Sequence, residues 1–203
     1  MEYLIFDFDG VLGNSKSSWL EVIQKMEGKS AQEVATANDA YFTKSPHTRD
    51  LNLSREALET LTKWVTKGGN LLHQKGFDLF SGFIKEIKKI KRTKIAVVSS
   101  GSYVYIKPRL EKSGLEFTHI LSFEDHHSKE EKVEQICKDW EISVKDAYFF
   151  TDTISDVREL ENIMDKNKIY GCAWGYQGKD KLLTVLDSNH ILNNFSDIQK
   201  VFQ

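Results

Sequence analysis

The stretch Tyr3-Leu4-Ile5-Phe6-Asp7-Phe8-Asp9-Gly10-Val11-Leu12 decides how this chain is read. Its first four residues are an apolar run of the kind that becomes a buried strand, and the run stops at two carboxylates one residue apart. Side chains alternate faces along a strand, so Asp7 and Asp9 share a face if the extension continues through both. Like charges that close are costly unless a cation, a proton or a counter-charge resolves them. On these residues alone two readings stand: a strand end followed by solvated acids in a turn, or a functional pair.

Outward from this stretch the chain divides into zones. Residues 15–75 offer no convincing strand and instead predict helices over 17–27, 30–42 and 54–67, with Gly68-Gly69-Asn70 as a stop and Pro46 as a break. Ser30 opens Ser-Ala-Gln-Glu, a capping-box pattern. From about residue 80 helices and short apolar strands alternate: helix 81–91, strand 94–99, helix 103–113, strand 117–121, helix 129–140, strand 147–150, helix 154–163, strand 169–173, helix 179–186, strand 190–192 and a last helix at 196–202. Short continuous apolar strands between helices predict an α/β fold, a Rossmann-like parallel sheet with helices on both faces. The helical zone would be an insert after the first strand that could cover the sheet's carboxyl edge. This gives a core of residues 1–14 and 77–203 and a helical cap of residues 15–76.

The 203 residues suffice for one substantial domain with a smaller insert. Lys and Arg number 28 against 30 Asp and Glu, so the net charge of −2 gives no basic excess for nucleic acid. The one dense lysine patch, residues 85–92, carries Ile84, Ile87 and Ile90 at helical spacing and reads as the solvated face of an amphipathic helix. Cys137 and Cys172 lie in apolar contexts far apart, consistent with core packing in a reducing compartment. No run approaches a membrane span, and a strand from about residue 2 leaves no room for a leader. The expectation is a cytoplasmic protein with a small-molecule ligand, no membrane and no nucleic acid; oligomeric state is not readable.

Ligands of open α/β sheets bind beyond the carboxyl ends of the strands. The first strand brings Asp7 and Asp9 there, the 94–99 strand brings Ser99, Ser100 and Gly101, and the 147–150 strand brings Thr151-Asp152-Thr153-Ile154-Ser155-Asp156. Lys129 opens the helix before the last of these. Mg2+ takes hard oxygen ligands, which Asp7 and Asp152 can supply. Ser99 and Ser100 can present hydroxyls and backbone N–H groups to phosphate oxygens. Lys129 can neutralise the gathered negative charge, and an Asp carboxylate can itself attack phosphorus.

In this order the four segments DFDGVL, VVSSG, Lys129 and TDTISD resemble the haloacid dehalogenase (HAD) superfamily, phosphatase type, across about the whole chain. The helical insert looks like its C1 type of cap, as in the phosphoglycolate phosphatase-like subclass. The resemblance implies that Asp7 is the nucleophile and a Mg2+ ligand and that Asp9 is the general acid and base, its carbonyl oxygen a further ligand. It implies that Ser99 binds the phosphoryl group with Ser100 and Gly101, that Lys129 orients Asp7, and that Asp152 and Asp156 are metal ligands, Asp156 directly or through water. Lys129 is preferred to Lys132 because it stands at the helix start. Thr151 departs from the Gly common before the metal Asp, a change the site is expected to tolerate, at most with some crowding; Asn14 replaces an acid common after DGVL, and no Pro follows Lys129.

The implied activity is a Mg2+-dependent phosphatase for a small phosphorylated metabolite, working through an aspartyl-phosphate. The same core could serve a phosphotransferase, or a phosphonate hydrolase using a cap lysine such as Lys25, Lys29 or Lys44. It could also serve haloacid hydrolysis, against which Asp9 and the acids at 152 and 156 argue, or a non-catalytic binding protein. Glu124-Asp125-His126-His127 reads as a solvated polar loop before a transition-metal site. Trp19, Trp64 and Tyr41 read as core between the cap helices. Lys44, His47 and Arg49 are candidates to reach substrate from the cap.

Overall fold

The computed structural model describes residues 1–43 and 53–202. Lys44, Pro46, His47 and Arg49 lie outside the described residues. Six parallel strands form one sheet in the order β3-β2-β1-β4-β5-β6. They are β1 (Glu2–Phe6), β2 (Thr93–Val98), β3 (His119–Leu121), β4 (Ala147–Thr151), β5 (Ile169–Cys172) and β6 (Ile191–Leu192). β1 lies at the centre, with Phe6 beside Val97 of β2 and Phe150 of β4. Its alternate residues feed separate cores, which is why its apolar run is unbroken. Leu4 and Phe6 pack with Phe83 of α4 (Ser81–Ile87) and Ile106 of α5 (Tyr103–Leu110). Ile5 packs on the other face with Val133 of α6 (Lys129–Asp139), Val157 of α7 (Ile154–Leu160) and Leu182 of α8 (Gly178–Leu182). A 3-10 helix, Phe195–Phe202, completes the first face through Ile198.

Strand order reverses between β1 and β4, because β2 and β3 add on one side of β1 and β4 to β6 on the other. The crevice beyond the carboxyl ends of these two strands is the usual ligand position in such sheets. Residues 7–14 make a tight loop there, its Leu12 and Gly13 N–H groups donating to the Phe8 carbonyl. Gly10 sits at φ 77°, open to glycine without strain. The chain leaves the sheet at Asn14 and returns beside it, since Asn14 N–H donates to the Asp78 carbonyl and Phe80 N–H to that of Leu12. Between these points stand α1 (Lys16–Glu27), α2 (Ala31–Thr43) and α3 (Arg55–Lys75). Ser30 and Glu33 form the expected capping box at the start of α2.

The expected stop at Gly68-Gly69-Asn70 is wrong: α3 runs on to Lys75 and is closed by Gly76. Both glycines are there for close approach. A Cβ on Gly68 would stand 2.7 Å from the Trp19 ring, and one on Gly69 2.6 Å from the Ser102 Cβ. The helices expected at 81–91, 103–113 and 154–163 end earlier, at Ile87, Leu110 and Leu160. Among the described residues no helix is long and apolar enough to cross a membrane.

Candidate active site

The loop after β1 places Asp7 and Asp9 in one cavity with Ser99, Ser100, Gly101, Lys129, Asp152 and Asp156. Lys129 is the centre of the charge arrangement. Its Nζ donates to Asp156 Oδ2 at 2.5 Å and stands 3.1 Å from Asp7 Oδ2, all three residues being buried. Burial disfavours its ammonium, but the charges of Asp156 and Asp7 outweigh this and hold the proton on. Glu159 fixes the start of α6 by accepting from the Lys129 N–H at 2.8 Å. Thr151, expected to be tolerated in place of Gly, supports the site: its hydroxyl donates to Asp156 Oδ2 at 2.6 Å.

Burial pushes the Asp7 carboxyl up to about 7, against the lowering effect of Lys129. Its Oδ1 accepts from the Phe8 N–H at 2.7 Å. Asp9 is gripped by two hydroxyls, Ser15 on Oδ1 and Tyr105 on Oδ2, each at 2.5 Å. Burial raises its pKa and these two bonds partly restore the charged form. Ser99 is buried and its hydroxyl accepts from the Gly101 N–H at 2.9 Å, while Ser100 is exposed.

Asp152 is fully buried, and burial together with the Asp7 charge lifts its pKa well above the carboxylate range. Its Oδ2 accepts from the Tyr176 N–H at 2.5 Å, whereas Oδ1 is buried with no hydrogen-bond partner. Its surroundings leave no slack. A Cβ on Gly10 would lie 2.0 Å from Asp152 Oδ2, and one on Gly175 2.2 Å from the Asp152 Cβ. A buried, partnerless carboxylate oxygen beside a second buried carboxylate fits a hard divalent cation. Among the described residues no three acidic, imidazole or thiol side chains form a ready cage. Mg2+ keeps waters and binds through one or two carboxylates plus substrate phosphate. His126 pairs with Glu131 on the surface, whereas His127, expected with it in a solvated loop, lines the cavity.

Sequence reasoning missed Ser15, Tyr105 and Tyr176, whose contacts bridge distant segments. Trp19 and Trp64 meet edge to face at 5.5 Å between α1 and α3, as expected, and also line the cavity, whereas Tyr41, expected in the same core, is exposed at the cavity's edge. Lys132, weighed against Lys129 and set second to it, is 0% exposed and donates to the Ser99 carbonyl at 2.5 Å. The signal of its burial was present: Lys129, Lys132, Val133 and Ile136 fall on one helical face.

Residues 4–162 match the sequence profile described as haloacid dehalogenase-like hydrolase. The chain belongs to that family. Solved structures similar to this hydrolase include a predicted phosphatase from Clostridium acetobutylicum, 17% identical with a TM-score of 0.70, over 98% of this chain and 96% of that one. A structure described as a phosphoglycolate phosphatase from Lactobacillus plantarum is 14% identical with a TM-score of 0.73, over 100% of both chains. A haloacid dehalogenase-like protein from Streptococcus pneumoniae is 15% identical with a TM-score of 0.71, over 100% of this chain and 99% of that one. At these identities the likeness establishes the fold. No curated protein sequence matches the chain.

Lys132 gives this hydrolase a pH signature. Burial, aided by the charge of Lys129, lowers its pKa to about 7, whereas an unfolded lysine titrates near 10.4. Between those values the unfolded chain binds the extra proton, so the group's contribution to stability rises with pH, by at most about 1.4 kcal/mol per unit. Lys132→Met is expected to lose that component of the slope between pH 7 and 9, read from urea unfolding at several pH values. Parallel slopes in parent and variant would contradict a neutral buried Lys132.

Proposed function

We propose that the protein is a Mg2+-dependent phosphomonoesterase acting on a small phosphorylated metabolite. In this reading residues 15–76 are a cap over a catalytic core of residues 1–14 and 77–203. The observation that carries it is Lys129 fixed between Asp7 and Asp156 on the floor of the cavity that also holds Ser99 and Asp9. Asp7 attacks phosphorus, and the bond to the leaving oxygen breaks as Asp9 delivers a proton to that oxygen. Asp9 then takes a proton from water, which attacks phosphorus, releases phosphate and restores Asp7. Such a role needs a carboxyl with a pKa above the ordinary range, which burial of Asp9 supplies, and a fixed direction, which Ser15 and Tyr105 supply. Ser99, with Ser100 and Gly101, binds the phosphoryl oxygens, and Lys129 steadies Asp7 and the charge that develops on them.

Asp7, Asp152 and the Asp9 carbonyl would hold Mg2+. Asp156 gives one oxygen to Lys129 and Thr151, leaving the other for the cation or its waters. Bound there, Mg2+ supplies electrophilic stabilisation of the phosphoryl group. Hydrolysis of a panel of phosphate esters, with Mg2+ and with EDTA, tests the activity; no phosphate release from any ester with Mg2+ present defeats it. Metal binding has its own readout. At about 100 times its Kd a ligand stabilises by about 2.7 kcal/mol, which for a chain of this size raises the Tm by roughly 5–10 °C. Asp152→Asn is expected to remove that Mg2+-dependent rise, and an undiminished rise would place the ion elsewhere.

A further inference from the structure

The cavity of about 520 Å3 over Asp7 has two unlike ends. Its floor holds the carboxylates, Ser99 and Lys129. Its roof comes from the helical insert and is built differently. α1 contributes Trp19 and Ile23, α2 contributes Val34 and Phe42, and α3 contributes Leu61, Trp64 and Val65. These are the apolar stripes of three helices, one turn apart along α1 and α3 and about two turns apart along α2, of the kind that normally closes into a bundle core. Here the stripes turn to the cavity and are continuous with its floor.

The polar side chains of the described roof are those of Glu27, Asn38 and Tyr41, and none is cationic. The floor's ammonium, Lys129, is already held by Asp7 and Asp156. Apart from Lys129, the core side of the cavity also presents His127, whereas the roof that a leaving group lies under offers to a second anionic group Glu27 and no cation among the described residues. A two-carbon leaving group would also leave most of the roof against water, which finds few hydrogen bonds on Trp, Leu and Val side chains. The volume falls in the range of about 300–1,000 Å3 typical of pockets for larger ligands.

We infer that the substrate is the phosphomonoester of a bulky apolar or aromatic alcohol, its phosphoryl group on the floor and its hydrocarbon under the helical roof. This rests on the phosphatase reading and narrows it. The α2 end of the roof is pinned to the core around this space: Phe42 packs edge to face on Tyr176 at 5.6 Å, and Asp39 pairs with Lys181 at 2.9 Å. The roof therefore lies over the site, and its apolar surface is what a leaving group touches.

The test compares n-alkyl phosphates from ethyl to octyl, and 2-phenylethyl phosphate, with 2-phosphoglycolate and glycerol 3-phosphate. Each buried methylene is expected to raise kcat/KM about fourfold, so hexyl phosphate should exceed ethyl phosphate by roughly 200-fold. Trp64→Ala and, separately, Leu61→Ala should flatten this rise, with circular dichroism verifying that each is folded. Calorimetric titration of the same esters into Asp7→Asn with Mg2+ reads binding without turnover. A flat series, or preference for phosphoglycolate or glycerol phosphate, overturns the inference and leaves the phosphatase reading standing. Binding that tightens along the series without hydrolysis by the parent overturns the phosphatase reading and upholds the ligand class. Neither binding nor hydrolysis overturns both.

Discussion

Asp7→Asn is expected to lower phosphate-ester turnover by at least about 1,000-fold while leaving a folded protein, because an amide cannot replace the attacking carboxylate. The substitution keeps the shape and can still accept the Phe8 N–H bond. Its effect on stability has a definite sign. Burial lifts the Asp7 carboxyl from the ordinary 3.8 to about 7 in the folded chain. Between those values the folded chain retains a proton that the unfolded chain has released, so stability from this group falls as pH rises, and the full cost is present above pH 7. Asparagine carries no such cost. Without metal, the variant should match the parent near pH 4 and melt at a higher temperature at pH 8. Phosphate release under saturating ester and thermal unfolding in EDTA at the two pH values check both halves. Residual activity above a few per cent of the parent would sink the nucleophile assignment, and a variant less stable than the parent at pH 8 would contradict the cost of burying the charge.

The parts of the site that could be read from the sequence are those that follow an apolar run. Asp7, Ser99 and Asp152 each come at the end of a parallel strand, so strand order alone delivers them to one edge. Lys129 was legible for a related reason, as the first residue of a helix that begins at that edge. Tyr105 was not legible, since it reaches Asp9 from the interior of α5 across 96 residues of sequence. Nor was the link from Ser15 to Tyr176, which spans 161. Local pattern encodes periodicity and burial but not which distant loop a hydroxyl will meet. The same limit explains the glycines of α3: Gly68-Gly69 carries low helix propensity, and only the packed Trp19 and Ser102 show why the helix continues through them. The three insert helices were legible as amphipathic, but whether their stripes meet one another or a cavity depends on how the helices rest on the core.

Lys129→Met should be the most destabilising substitution in the site. It removes the cation from between two buried carboxylates, leaving Asp156 with the Thr151 hydroxyl and Asp7 with the Phe8 N–H. Breaking a buried pair in this way costs about 3–5 kcal/mol, because the residual charge stays in a medium that solvates it poorly. For a chain of this length that lowers the Tm by roughly 6–20 °C, measured in EDTA so that no metal ion compensates. A second change separates charge balance from chemistry. Lys129→Met combined with Asp156→Asn removes one ammonium and the carboxylate that binds it most closely, so much of the lost stability should return. Turnover should not return, since neither replacement can hold Asp7 or balance charge on the phosphoryl oxygens. The double-mutant cycle in urea should therefore show a large favourable coupling between positions 129 and 156, against additivity expected of independent sites. A loss below about 1 kcal/mol in the single variant would place the pair with exposed ion pairs of little energetic weight. Recovery of activity in the double variant would remove Lys129 from the reaction.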